Sequence, residues 1–186
     1  MAEAVCVLAA GVGSRYKGPT PKLRSIFRGK ELVRWSLEAA LAAPADFHFV
    51  VIGGTEIRDL IPAGFEVLEN DRYQSGMASS VMVAIDQARS RGLNAITIGL
   101  GDQPGIGALC WTSVCVSRSS PIAVATYDGK RRNPVRLADS VWGLMPTEGD
   151  LGARELIASH PDLVIEVACD AEPFDIDTLE DFEIWS

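Results

Sequence analysis

Hydrophobic residues change their spacing along the chain, and each spacing predicts a different element. Val5–Ala10 is an apolar run without alternation, the pattern of a strand buried on both faces. Over residues 31–43, Val33, Leu37, Ala40 and Leu41 fall on one helical face, with Glu31, Arg34 and Glu38 opposite. Pro44 stops that helix. Phe47–Ile52 reads as a second strand closed by Gly53-Gly54, and Thr55 can cap a short helix through Ile61. Phe65–Leu68 is a third strand. Met77–Arg91 gives the clearest helix, with Val81, Ala84, Ile85 and Ala88 as its buried stripe and Gly92 as its stop. Ala95–Leu100 is a fourth strand, Ile106–Ser117 a helix and Ile122–Thr126 a fifth strand. Asp128-Gly129 is a hairpin turn leading to a strand near Pro134–Leu137. A turn and helix over Gly149–Ser159 follow, then a strand at Val164–Val167 and a closing helix, Thr178–Trp185, capped by Thr178.

Strands alternate with helices through residue 126, which predicts an α/β sandwich with a mostly parallel sheet. The later hairpin adds one antiparallel strand and a small lobe. A length of 186 residues fits one domain, and 47% hydrophobic content supplies a sizeable core. No stretch reaches the roughly 18 apolar residues of a membrane span. The N-terminus lacks the basic segment of a signal peptide, so a cytoplasmic, intact chain is expected.

Charge sharpens this picture. The net charge of −8 disfavours nucleic acid and anionic membrane as partners. Yet residues 15–30 carry bases and no acids, Lys130, Arg131, Arg132 and Arg136 form a second basic cluster, and residues 162–186 carry acids and no bases. Local positive patches in an acidic protein suit a small polyanion. Cys6, Cys110, Cys115 and Cys169 form no CxxC pair, and His48 and His160 are isolated, which argues against structural zinc. Four buried or half-buried thiols in a reducing compartment are expected.

Candidate chemistry gathers where strands end. After the first strand, Gly11 and Gly13 let backbone N–H groups approach an anion, and Arg15, Lys17 and Lys22 follow. An ordinary basic βα turn is the alternative. The spacing matches neither a Walker loop nor the dinucleotide fingerprint. Asp102, between Gly101 and Gln103-Pro104, can take a hard cation with substrate phosphates; a turn aspartate bonding its own backbone is the alternative. Asp175 and Asp177 share one face of an extended segment, with Ile176 behind; either could be a second metal ligand, or both could be solvated. Gly76 through Ser80 open the best helix, where free N–H groups can hold a ligand or simply be capped. The segments 132–136 and 149–154 read as loops that could grip a second substrate, or as plain surface. No Ser/His/Asp or Cys/His constellation is apparent.

Together these motifs resemble a known family. Leu8-Ala9-Ala10-Gly11-Val12-Gly13-Ser14-Arg15 with Lys22 resembles the LAAGxSxR…K signature of nucleotidyltransferases. Gly76-Met77 with Ser79-Ser80, Gly101-Asp102-Gln103-Pro104, Asn133-Pro134-Val135, the 149–154 segment and Asp175-Ile176-Asp177-Thr178 are similar to the molybdenum cofactor cytidylyltransferase (MobA/MocA-like) branch. The resemblance implies a three-layer α/β/α Rossmann-like nucleotidyltransferase fold. Residues 1–105 would form its nucleotide-binding part, and 106–186 its acceptor-binding part and closing helix. It implies Mg²⁺-dependent transfer from CTP, or GTP, to the terminal phosphate of a molybdopterin-type acceptor, with a molybdenum hydroxylase as client. Leu8, Ala9, Ala10, Gly11, Gly13, Ser14, Arg15, Lys22, Gly76 and Ser80 would bind nucleotide, with Arg15, Lys22 and Asp102 catalytic. Asp102 and Asp177 would hold metal, and Gln103, Asn133, Arg136, Asp150 and Arg154 the acceptor. Ala10 resembles the cytidylyl branch, where guanylyl relatives carry glycine. The chain departs from the family in its longer loop 16–21, in Asn133 for a histidine, and in Leu151 for a polar residue. A different small phosphate acceptor, or a non-catalytic nucleotide carrier, are the competing readings.

Overall fold

The computed structural model describes residues 1–150 and 152–185; the departure at Leu151 lies outside the described residues. In chain order the elements are β1 (Glu3–Ala9), β2 (Ile26–Phe27), β3 (Lys30–Glu31), α1 (Leu32–Leu41), β4 (Phe47–Ile52), β5 (Phe65–Glu69) and α2 (Met77–Ser90). They continue with β6 (Ala95–Leu100), α3 (Ala108–Val116), β7 (Ile122–Tyr127), β8 (Lys130–Ala138), α4 (Ala153–Ser159), β9 (Val164–Ala168) and α5 (Leu179–Trp185).

Every residue of β1 is buried, as its unbroken apolar run requires. Cys6, Leu8 and Ala10 pack on one face with Val81, Ala84, Ile85 and Ala88 of α2. Val5, Val7 and Ala9 pack on the other, where Val33, Leu37 and Ala40 of α1 and Trp111 and Val114 of α3 meet them. Helices therefore cover both faces of a seven-stranded sheet of order β5-β4-β1-β6-β8-β7-β9. Only β8 runs against its neighbours. From β1 the chain builds outward through β4 and β5 on one side and through β6 on the other. That reversal opens a crevice beyond the carboxyl ends of β1 and β6, where ligands of open α/β sheets bind.

A third, smaller core forms from segments far apart in sequence. Phe27, Leu32 and Ile176 are buried together, with Trp35, Phe174, Phe182 and Trp185 packed around them. It clamps the chain entering α5 against the short β2–β3 hairpin.

Most expected elements lie within a residue or two of their predicted bounds. Two differ for local reasons. The helix expected at Thr55–Ile61 contracts to one 3-10 turn, Arg58–Leu60, and the strand expected near Pro134–Leu137 starts at Lys130, directly after the Asp128-Gly129 turn. The β2–β3 hairpin and the helical turns over Asp139–Leu144 were not predicted; strands of two residues are too short to carry a period. The expectation of four free thiols is corrected: Cys110 and Cys169 form a disulfide, with Cα atoms 5.4 Å apart across 59 residues of sequence. The parallel pairing of β7 with β9 carries Cys169, just past β9, alongside α3. Cys6 and Cys115 are buried free thiols. No helix of the described residues is long and apolar enough to cross a membrane.

Candidate active site

β1 stops at Ala9 and the chain turns through Gly11 and Gly13. Gly13 has φ 63°, and a Cβ there would lie 2.9 Å from Lys22 Cβ. The loop thus folds back on itself because position 13 lacks a side chain, and this seats Lys22 in the crevice. Lys22 is only 8% exposed. Its Nζ donates to Asp102 Oδ2 at 2.6 Å and to Asp177 Oδ1 at 3.1 Å. Arg15 Nη2 reaches the other oxygen of Asp177 at 2.8 Å. Burial, the largest single influence on Lys22, works against its charge. The charges and hydrogen bonds of Asp102 and Asp177 together outweigh it and raise its pKa above the ordinary value. Lys22 is therefore an ammonium at neutral pH.

Each carboxylate has its own support. Asp102 follows β6, where Gly101 N donates to Leu8 O at 2.9 Å and ties the two strand ends together. Ile176, fully buried in the third core, donates its N–H to Asp102 O at 3.2 Å. The alternation read from the sequence then aims Asp175 and Asp177 at the crevice from either side of that anchor. Burial pushes the Asp175 carboxyl above the ordinary range, opposed by the hydrogen bond from Gln103 Nε2 at 2.6 Å. Asp181 accepts from the Asp177 and Thr178 amides, while Thr178 Oγ1 caps the Asp181 N–H.

Opposite this ionic cluster stands the N-terminus of α2. Gly76 has φ 104° and ψ 171°, and a Cβ there would lie 2.6 Å from Gly149 O. Ala78 N donates to that same carbonyl. Asn70 Nδ2 donates to the hydroxyls of both Ser79 and Ser80, fixing the first turn from beneath.

The resulting cleft has a volume of about 890 Å³. Of the residues expected in the site, Leu8, Ala10, Gly11, Gly13, Ser14 and Arg15 line it. Lys22, Gly76, Ser80, Asp102, Asp150, Arg154 and Asp177 line it too. Ala9 does not: it points into the core on the α1 side. Gln103 is buried beneath the wall and orients Asp175. Asn133 opens onto an adjoining apolar cavity, and its Nδ2 lies 3.4 Å from Gln103 Oε1. Arg136 is the clear correction among the expected acceptor residues. It is 4% exposed and ion-paired with Glu3 at 2.8 and 3.1 Å, at the opposite end of the sheet from the cleft. Lys17 is exposed and off the cleft wall. Val12, Tyr73, Gln74 and Leu100 also line the cleft. Val12 lies in the loop 11–22 and Tyr73 and Gln74 in the connection from Asn70 to Ser80, both strand-end segments where the sequence gathers candidate chemistry, whereas nothing in the sequence marks Leu100.

Residues 5–164 match the MobA-like NTP transferase domain. The chain belongs to that family. PucB, a purine catabolism protein of Bacillus subtilis (strain 168), is 28% identical over 192 residues, covering 95% of this chain and 92% of PucB. Rv0371c of Mycobacterium tuberculosis H37Rv superposes with a TM-score of 0.84 at 27% identity, over 98% of this chain and 96% of that one. A second structure of Rv0371c is a complex with manganese, with a TM-score of 0.79 at 26% identity over 99% of this chain and 97% of that one. Mth528, a nucleotidyl transferase of Methanothermobacter, gives a TM-score of 0.83 at 20% identity, over 99% of this chain and 96% of that one, a likeness of fold. The bifunctional GlmU of Ralstonia nicotianae is also matched, but the chain spans only 27% of its length. The family and these structures share the α/β nucleotidyltransferase fold described above.

Proposed function

We propose that the protein is a Mg²⁺-dependent cytidylyltransferase that transfers CMP from CTP to the terminal phosphate of a molybdopterin-type acceptor. The observation that carries this reading is the joining of Arg15, Lys22, Asp102 and Asp177 in one cleft, facing the α2 N-terminus. An oxygen of the acceptor phosphate attacks the α-phosphorus. The bond from that phosphorus to the α–β bridging oxygen breaks, and pyrophosphate leaves with the electron pair. Such a transfer needs little covalent help from protein; positioning and charge neutralisation carry it.

In this reading the amides from Ala10 to Arg15, with the Arg15 guanidinium, hold the β- and γ-phosphates. Lys22 stabilises charge on the α-phosphoryl group. The base and ribose lie between Ala10, Gly76 and Ser80. Asp150 and Arg154 bound the acceptor side. Residues 1–105 thus serve the nucleotide and 106–186 mainly the acceptor. Asp102 and Asp177 suit Mg²⁺, which is commonly held by one or two carboxylates plus substrate phosphates. Both already converge on a single cationic nitrogen. No cluster of three or more His, Cys, Asp or Glu that could hold a metal alone occurs among the described residues. The manganese complex of Rv0371c supports a divalent cation here. When bound, that ion neutralises charge developing on the phosphates. CTP rather than GTP rests on Ala10. A cytoplasmic location and a molybdenum hydroxylase client belong to the same reading.

Incubation with molybdopterin, Mg²⁺ and labelled CTP or GTP tests it. Pyrophosphate release with CTP is expected. Release with GTP alone would overturn the base assignment, and release only with sugar phosphates or phospholactate would overturn the acceptor. Asp102→Asn is expected to lower turnover about 100-fold or more while nucleotide still binds. A variant that handed on cofactor at the wild-type rate would mark the protein as a carrier instead.

A further inference from the structure

Arg15 and Asp177 pair in the cleft, and consecutive residues of α5 support the two partners from outside it. Asp181 Oδ2 accepts from the Asp177 and Thr178 amides at 3.0 and 2.8 Å. Phe182 meets the ring of Tyr16, the residue after Arg15, with ring centroids 5.6 Å apart. The Tyr16 N–H donates to Gly13 O at 2.9 Å and closes the turn that follows β1. Ser14, Arg15 and Lys17 are exposed, whereas Tyr16 is half-buried. Gly18 leaves room for its ring: a Cβ there would lie 2.4 Å from Tyr16 Cε1. Phe182 in turn stands edge-on to Phe27 at 5.5 Å, and Phe27 is buried in the third core. A run of rings thus joins the loop to the body of the protein. Ser14 and Arg15 line the cleft, and Tyr16 does not.

We propose that Tyr16 and Phe182 are positioning residues for triphosphate binding, their ring contact making α5 the clasp that holds the Gly11–Arg15 loop in its binding form. The inference rests on the nucleotidyl-transfer reading above and deepens its account of the β- and γ-phosphates. A loop of exposed residues has to be ordered when it takes a ligand, and ordering it beforehand removes that cost. The Arg15–Asp177 pair does not serve this purpose throughout, because phosphate oxygens compete with the carboxylate for the same guanidinium. The ring contact involves neither phosphate nor carboxylate. It survives the exchange and keeps the Arg15 backbone in place. An aromatic pair is enough to change affinity about three- to tenfold.

Calorimetry on the full chain, with Mg²⁺ and without acceptor, tests this with CTP and CMP as ligands. CMP lacks the two phosphates assigned to the loop. Tyr16→Ala is expected to weaken CTP about three- to tenfold and to leave CMP within about twofold of wild type. Tyr16→Phe keeps the ring and is expected to bind both ligands as the wild-type protein does. Phe182→Ala is expected to match Tyr16→Ala, and the double variant to lose no more than either single one, since both remove the same contact. Gly18→Ala, which drives the ring from its seat, gives the same selective loss if Tyr16→Ala does not fold. Unchanged CTP affinity in Tyr16→Ala overturns the proposal. So does an equal loss for CMP and CTP, a loss in Tyr16→Phe as large as in Tyr16→Ala, or losses that multiply in the double variant. Absence of CTP binding to the wild-type protein overturns the nucleotidyl-transfer reading instead, so the two failures are told apart.

Discussion

Two basic residues with similar sequence surroundings have opposite roles, and only their partners separate them. Lys22 is buried among carboxylates that line a cleft. Arg136 is buried against Glu3, 133 residues away, with Arg118 also reaching Glu3 at 3.0 Å. Removing one member of a buried pair costs about 3–5 kcal/mol where the other charge is left without compensation, and less here because Arg118 still reaches Glu3. Arg136→Ala is therefore expected to lose stability below that figure in urea unfolding, with a further loss when Arg118 is also removed, while CTP affinity stays at the wild-type value. Weakened CTP binding with unchanged stability would return Arg136 to the site. From sequence, the basic run around Asn133-Pro134 read as one substrate loop. A bulge in β8 divides it: Arg132 stays at the cleft and Arg136 moves down the strand. No local pattern announces a partner at the other end of the chain.

Among the elements, β1 was legible from its unbroken apolar run and α2 from its long helical period. The positions of their ends matter more for the site. Gly76 is held in a left-handed conformation with Gly149 against it, so Gly76→Ala sets a strained backbone against a carbonyl. A cost of about 1–3 kcal/mol is expected, read as a lower melting temperature together with weaker nucleotide binding as the α2 N-terminus shifts. β4 carries a pH-sensitive residue far from the chemistry. His48 is half-buried, bonded through Nε2 to Ala43 O at 3.2 Å and edge-on to Phe65. Burial pulls its pKa below the ordinary 6.5, although bonds to the Ala43 and Ala40 carbonyls oppose this. As pH falls through 6.5 the unfolded chain takes up the proton first, so stability is full above that value and declines below it. His48→Gln is expected to flatten the fall in melting temperature between pH 7 and pH 5. An equally steep fall in the variant would place the effect elsewhere.

For the whole molecule, the parallel order of the sheet followed from strand–helix alternation, whereas the crossing of distant segments did not. The third core and the disulfide both join residues whose encounter depends on the finished topology. Closing a loop of 59 residues stabilises by about 4 kcal/mol in the chain-entropy account. Unfolding in denaturant without reductant is expected to expose two thiols to a colorimetric reagent, and four after reduction. In the native state Cys6 and Cys115 stay silent, since burial shields both and raises their pKa values. Four reactive thiols in denaturant alone would show that the cross-link is absent. If it is present, the chain between Cys110 and Cys169 is a closed ring bearing two tails, and the short tail carries Asp175 and Asp177. A protease that nicks the ring once, at any bond, leaves a single covalent molecule. Its two pieces part on a gel only when a thiol reagent opens the ring a second time.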